Sequence, residues 1–390
     1  MRIEAIRTRT IRLHAEYGNA TVNFSEMTGS LVAILANPDS AKTPMVGFGF
    51  GSIGRYAHSE MIRDRFAKRI LQSNPEEYLD DGGFPDPVRL NQIMRRNEKQ
   101  GGHGERPVAI GAVDMAAWDL YAKLQGKPLY QCLAERFNQG NHDSSVQVYA
   151  AGGYYYEKDG LSRLKQELEG YLEQGFESVK IKIGGASQKE DLRRIEAAVS
   201  VVGSPEMLAV DANCRFSEEE AVEWGIALEE LGLRWYEEPV DPLDFQAFNT
   251  LCRSYAPPVA TGENLFSLED TKNLIRYAGL RSDRDILQMD PGLSYGVTEY
   301  VKILDLLEEE GWSRRQCYPH GGNLFNLHVA QGLQIGGTEV YPGVFGPLGG
   351  FGESVDVSRG RSAAPKLPGI GWESKPELLD CFEALFEIEK

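Results

Sequence analysis

Polar residues close a series of short apolar segments along this chain, and they recur at nearly constant spacing. SVKIKI carries Lys180 and Lys182, MLAVDAN ends on Asp211 and Asn213, and RWYEEP on Glu237 and Glu238. VATGEN ends on Glu263, ILQMD on Asp290 and QCYPH on His320. Asp211, Glu237 and Glu263 are spaced by 26 and 26 residues; Asp290 follows 27 later and His320 30 later. Amphipathic stretches separate the apolar ones, over 161–174, 188–201, 217–231, 244–253, 268–277, 297–310 and 324–334. One strand, one helix and their loops take up that spacing. The alternation predicts a parallel β/α barrel, with a doubly wound open sheet as the alternative. In a barrel the polar residues gather at the C-terminal face, where barrel enzymes hold their active sites.

The N-terminal third has another pattern. Residues 1–60 alternate apolar and polar positions around Ile3, Ile6, Ile11, Leu13 and Leu31 to Ile34, which predicts antiparallel strands. The stretch 59–73 is helical in period. Residues 75–102 are polar and carry Pro and Gly, and read as irregular chain ending in a loop. AIGAVDMAAWDLYAKL, 109–124, is a helix with Gly126 just past its end. A chain of 390 residues has room for two domains. The expected division is an α+β domain over 1–135, the barrel over 136–345 and a Gly/Pro-rich C-terminal segment over 346–390.

Three carboxylates on neighbouring strands repel one another in a low-dielectric site, and a hard divalent cation removes the conflict. Oxygen-only ligands favour Mg²⁺. Such a cation acts as a Lewis acid on a substrate carboxylate and favours loss of a neighbouring proton. Lys180 and Lys182 share one strand face, so each is expected to lower the other's proton affinity and leave a base. A carboxylate such as Asp290 behind His320 favours the imidazolium, which suits a general acid. Any single acid at a strand end is ordinarily a helix cap, and a lone Lys-x-Lys is ordinarily solvated. The register of five such ends carries the functional reading.

The net charge of −17 argues against nucleic acid, which needs a basic face. No apolar run approaches a membrane span, and MRIEAIRTRTIRLH lacks the apolar core of a secretion signal. The five scattered cysteines form no CxxC pair, which fits reduced thiols and a cytoplasmic setting.

The ordered set VKIKIGG, AVDAN, WYEEP, ATGEN, QMD and YPHGG resembles the enolase superfamily in its mandelate racemase-like branch. NEKQGGHGER (97–106), VYAAGGYYY (148–156), ATGENLFS (260–267) and LSYG (293–296) are similar to the tartrate dehydratases of that branch. The resemblance implies a (β/α)₇β modified TIM barrel, an α+β N-terminal capping domain and a C-terminal segment returning to the cap. It implies Mg²⁺ on Asp211, Glu237 and Glu263. It makes Lys182 the proton-abstracting base with Lys180 beside it, and His320 the general acid paired with Asp290. Substrate contacts are implied at Lys99, Asn19, Asn213, Tyr156, Glu339 and Tyr341. The implied reaction removes the proton alpha to a carboxylate and expels the β-hydroxyl as water, giving a 2-keto acid. Tartrate, yielding oxaloacetate, is the leading substrate, and a homo-oligomer is implied. Cys214 after AVDAN, MDPGLSYG and PHGGNLFNLH depart from the tartrate pattern near the metal and the acid. The competing readings are a racemase or epimerase using Lys182 and His320 as two bases, and a dehydratase of another acid sugar. More distant are a glycosidase using Glu237 and Glu238, and a metal-binding protein without catalysis.

Overall fold

The computed structural model describes residues 1–13, 15–37, 44–156 and 159–386. Strands β1 (Arg2–Arg12), β2 (Thr28–Asn37) and β3 (Met45–Phe50) form an antiparallel sheet in that order. β2 is buried along nearly its whole length. The helix Glu105–Leu124 explains why: it lies across β2 and β3 and is itself apolar on almost every side. The approach is close enough that a Cβ on Gly49 would sit 2.5 Å from the Ala116 amide nitrogen. The stretch 75–102 differs from the irregular chain expected of it, since helices Pro75–Tyr78 and Pro87–Met94 occupy it. In each, proline stands at the first turn, where its missing N–H costs nothing, and Asn74 or Asp86 caps the start.

The second unit is the barrel. β4 (Val146–Ala151), β5 (Val179–Lys182), β6 (Leu208–Asp211), β7 (Tyr236–Glu237), β8 (Val259–Thr261) and β9 (Ile286–Leu287) pair in parallel in chain order. Extended residues 317–320 continue the ring: the amides of Tyr318 and His320 donate to Leu287 and Gln288. β10 (Gly337–Val340) follows, linked to that segment by Gly336 donating to Cys317, and it closes the ring by pairing with β4. Helices Gly160–Glu173, Gln188–Val202, Glu218–Leu228, Phe245–Ser254, Leu268–Tyr277, Val297–Glu309 and Leu324–Leu333 fill the intervals between strands. Seven strand–helix units and a final strand give the (β/α)₇β order, and the open-sheet alternative falls with the closure.

The barrel interior is layered. Tyr149, Trp235 and Tyr318 pack with Ala209 and Ala260 as an apolar plug, with ring centroids 5.1 to 6.5 Å apart. Above the plug, the inward positions of the strands are charged. The C-terminal segment crosses back to the N-terminal sheet. Trp372 donates to the Phe48 carbonyl at 3.0 Å, and Phe382 stacks on Phe48 at 4.8 Å. Buried Asp119 accepts from the amides of Phe48 and Ile370, both at 2.8 Å, and so joins sheet, helix and tail. No helix of the described residues is long and apolar enough to cross a membrane.

Candidate active site

The lower charged layer centres on Lys180, fully buried on β5. Its ammonium pairs with Glu237, with Glu339 at 2.7 Å and with Asp211 at 3.4 Å. Burial pulls the lysine pKa down, but Glu237 and Glu339 outweigh it and hold it well above the ordinary value. The expectation that Lys180 and Lys182 lower each other's proton affinity is therefore corrected for Lys180. Its carboxylate neighbours, not the second ammonium, decide its state. Glu237 is fixed further by Trp235 Nε1 at 2.7 Å and Gln288 Nε2 at 2.8 Å.

The upper layer begins two residues on. Lys182 Nζ donates to Asp211 Oδ2 at 2.6 Å. One carboxylate oxygen each from Asp211, Glu237 and Glu263 lies within 4.8 Å of the others. Burial works to raise Asp211, yet Lys182 and Lys180 outweigh it and hold it at about 2. Glu237 is pushed up to about 8 by burial and by Asp211 and Glu263, against Lys180. Glu263 is raised, again chiefly by burial. Two lysines thus leave the cluster short of positive charge, and its donors are all hard oxygens. That combination fits a divalent cation of the Mg²⁺ type.

His320 stands at the end of the segment 317–320. Its Nε2 meets the Tyr341 hydroxyl at 2.9 Å and lies 3.9 Å from Glu263 Oε2; its Nδ1 lies 3.6 Å from Asp290 Oδ2. The last distance is an ion pair rather than a hydrogen bond. Burial pulls the imidazole down, but Glu263, Asp290 and Glu339 outweigh it and raise it to about 9. Asp290 is held from both units: Ser52 of the cap donates to Oδ2 at 2.5 Å, and the Gly292 amide to Oδ1 at 2.7 Å. Gly321, at φ +106°, follows the histidine because nothing larger fits. A Cβ there would lie 2.4 Å from Asp290 Oδ2 and 2.5 Å from Ser52 Oγ.

Lys182, Glu263 and His320 open into one cavity of about 280 Å³. Asn19, Thr21, Ile53 and Arg55 line it from the cap, and Asn213, Cys214, Asn264 and Tyr341 from the barrel. A larger cleft of about 680 Å³ lies between residues 340–357 and 374–378 and contains none of these side chains. Its size does not compete with the converging chemistry here. Asn19, Asn213 and Tyr341 thus line the cavity. Glu339 lies beneath it, against Lys180. Tyr156 points elsewhere and donates to Glu167 at 2.9 Å, outside the cavity lining. Lys99 is exposed; its carbonyl accepts from Arg106 at 2.8 Å, and it too is outside the lining. Glu238 serves a separate network, accepting from Cys214 Sγ at 2.8 Å and from Asn264 Nδ2 and the Gly262 amide at 3.0 Å. Glu237 and Glu238 therefore do not flank one space, which removes the glycosidase arrangement. Ser52, Arg55 and Asn264 were missed in the sequence. The Gly-rich run GFGFGSIGRY, which holds the first two, is the signal that could have found them.

Fold and site together define an α/β-barrel protein with a buried carboxylate cluster between a lysine and a histidine. Residues 163–378 match the family described as Enolase C-terminal domain-like, and the chain belongs to that family. It is 30% identical over 334 residues to arabinonate dehydratase of Saccharolobus solfataricus, covering 83% of this chain and 84% of that one. It is 29% identical over 332 residues to L-talarate/galactarate dehydratase of Salmonella typhimurium, covering 84% and 76%. Among solved structures, a racemase from Streptomyces coelicolor A3(2) with bound magnesium superposes with a TM-score of 0.75 at 24% identity, covering 95% of this chain and 96% of that one.

Proposed function

We propose that this chain is a Mg²⁺-dependent acid-sugar dehydratase, a hydro-lyase. One observation carries the reading: Lys182, His320 and Glu263 line a single small cavity, and Glu263 belongs to the carboxylate cluster with Asp211 and Glu237. Arabinonate and talarate/galactarate dehydratases among the relatives support the reaction class, and the magnesium-bound neighbour supports the metal. Asp211, Glu237 and Glu263 would hold Mg²⁺, which when bound supplies positive charge that offsets the charge developing on a substrate carboxylate. The chain's own residues do the rest. Lys182 Nζ takes the proton from the carbon alpha to the carboxylate. His320, held protonated by Asp290 and Glu263, gives its proton to the β-hydroxyl as the C–O bond breaks and water leaves. The enol that remains tautomerises to a 2-keto acid. Lys180 acts below them as a fixed counter-charge.

The cavity stands at the small end of the roughly 300–1,000 Å³ usual for small-molecule sites, which suits a short acid. D-tartrate, giving oxaloacetate, is the leading substrate on the likeness of segments 97–106 and 260–267. The departure at Cys214, which lines the cavity, makes other acid sugars the comparison set. We further propose the division into a cap of 1–135, a barrel of 136–345 and a tail of 346–390, of which residues 387–390 lie outside the described ones. A cytoplasmic homo-oligomer belongs to the same reading, in keeping with five unpaired cysteines, and light scattering of the purified protein measures the assembly.

The test is a panel of stereodefined acid sugars with Mg²⁺, including D-, L- and meso-tartrate, galactarate and arabinonate, read by keto-acid formation. At least one is expected to give keto acid. Epimerised substrate without keto acid would establish the racemase reading instead. A flat profile with Mg²⁺ bound would establish a protein without this catalysis.

A further inference from the structure

Three basic side chains line the cavity, and two already have acidic partners. Lys182 is paired with Asp211, and His320 lies between Asp290 and Glu263. Arg55 is different. Among the described residues no carboxylate comes within 4.0 Å of its guanidinium, and its recorded hydrogen bonds run to neutral oxygens: the Gly54 carbonyl at 2.7 Å and Asn264 Oδ1 at 2.9 Å. A guanidinium has five N–H donors, so three are left over.

The group is also firmly mounted. Its Cζ lies 4.9 Å over the ring of Phe266. Asn264 is oriented in turn by Glu238, which takes its Nδ2 at 3.0 Å and so turns Oδ1 toward Arg55. Glu238 is itself pinned by Thr261 and the Gly262 amide. The chain from Glu238 through Asn264 to Arg55 runs past Glu263, so the guanidinium is referenced to the carboxylate cluster rather than to a free loop. A half-buried cation on a firm mount, with no carboxylate within 4.0 Å among the described residues and facing the cavity, is arranged for an anion. The carboxylate that lines the same cavity, Glu263, faces His320 at 3.9 Å.

We propose that Arg55 binds a second carboxylate of the substrate, so that the site takes sugar diacids in preference to sugar monoacids. The proposal rests on the dehydratase reading and names the substrate class within it. It places at Arg55, on the cavity wall, a substrate contact that the resemblance implied for Lys99, which lies outside the lining. A monoacid presents a hydroxymethyl group at that end, which accepts a hydrogen bond but leaves the charge unmatched.

The experiment measures binding by calorimetry to the Mg²⁺-loaded Lys182→Ala protein, in which turnover is removed. Each diacid is compared with the monoacid that differs only at the far end: D- and L-tartrate with the matching threonates, meso-tartrate with erythronate, and galactarate with galactonate. At least one diacid is expected to bind on the order of tenfold to a hundredfold more tightly than its monoacid. Arg55→Gln should close most of that gap by weakening the diacid alone, and Arg55→Lys should restore only part of it. Equal binding of diacid and monoacid to the protein bearing Arg55 would overturn the assignment. So would an Arg55→Gln loss shared equally by both, which is what a merely structural loop anchor gives. If wild-type protein dehydrates monoacids as well as diacids, the dehydratase reading stands and the Arg55 assignment falls. If no acid on the panel binds or turns over, both fall.

Discussion

The two walls of the cavity are built on opposite principles. On the barrel wall, the lysines are buried and paired, Lys180 with Glu237 and Glu339 and Lys182 with Asp211, while buried Asp290 is held by Ser52 and the Gly292 amide. On the cap wall, Asn19 and Arg55 are half-buried and make their hydrogen bonds to neutral groups. Asn19 Oδ1 accepts from the amides of Thr21 at 2.8 Å and Val22 at 2.7 Å, while Arg55 rests on a carbonyl and a neutral amide. The difference teaches where each kind of information sits. The proton-transfer groups need exact placement and fixed charge, which rigid strands provide. The groups that tell one acid from another need unspent hydrogen-bonding capacity, which loops provide.

The largest effect that sharpens this contrast lies at the foot of the barrel wall. Lys180→Met would leave Glu237 and Glu339 buried without their ammonium. Loss of one partner of a buried pair costs about 3–5 kcal/mol, and denaturant unfolding of the metal-free protein should show it. Added Mg²⁺ should recover part of the loss by filling the same charge deficit. A variant as stable as wild type would mean that the carboxylates do not depend on Lys180.

A second effect tests the join between the units. Asp114, on the cap helix Glu105–Leu124, is buried and accepts from Asn91 Nδ2 and the Val297 amide of a barrel helix, both at 2.8 Å. Burial pushes its carboxyl up to about 7, above an ordinary 3.8. The folded state then holds a proton that the unfolded state has released. Its contribution is full below about pH 4 and is lost as pH rises through about 7, on the order of a few kcal/mol. Asp114→Asn should flatten the pH dependence of unfolding in that window. An unchanged slope would place the dependence in other groups.

The smallest effect is expected on the exposed cap surface. Lys99→Ala should change kcat/KM by no more than about twofold, as for a surface substitution away from the site. Arg55→Gln should act far more strongly on diacids. A larger loss from Lys99 than from Arg55 would reverse the assignment of the distal anchor.

The contrast between the walls also explains what could be read from the chain alone. Strand ends repeat with the barrel unit, so Lys182, Asp211, Glu237, Glu263 and His320 announce their shared mouth by spacing. The seven helices fall within a few residues of their amphipathic stretches, because one face of each packs on the barrel. Cap contacts carry no such period. Arg55 reaches the cavity through a loop whose path depends on Asn264, 209 residues away. Lys180 misled for the same reason: its neighbour Lys182 is visible in sequence, whereas Glu339 comes from the last strand of the ring. The helices Pro75–Tyr78 and Pro87–Met94 were hidden by their own prolines, which mark helix starts as often as breaks.

The central claim is that Lys182 and His320 divide one reaction, the first removing a proton and the second expelling a hydroxyl. Incubating the Mg²⁺-loaded His320→Asn and Lys182→Ala proteins with a turned-over substrate in D₂O, and following the α-hydrogen and the keto acid by NMR, separates the two steps. The account predicts that His320→Asn still exchanges the α-proton while forming little keto acid, and that Lys182→Ala does neither. Exchange at the wild-type rate in Lys182→Ala would contradict it.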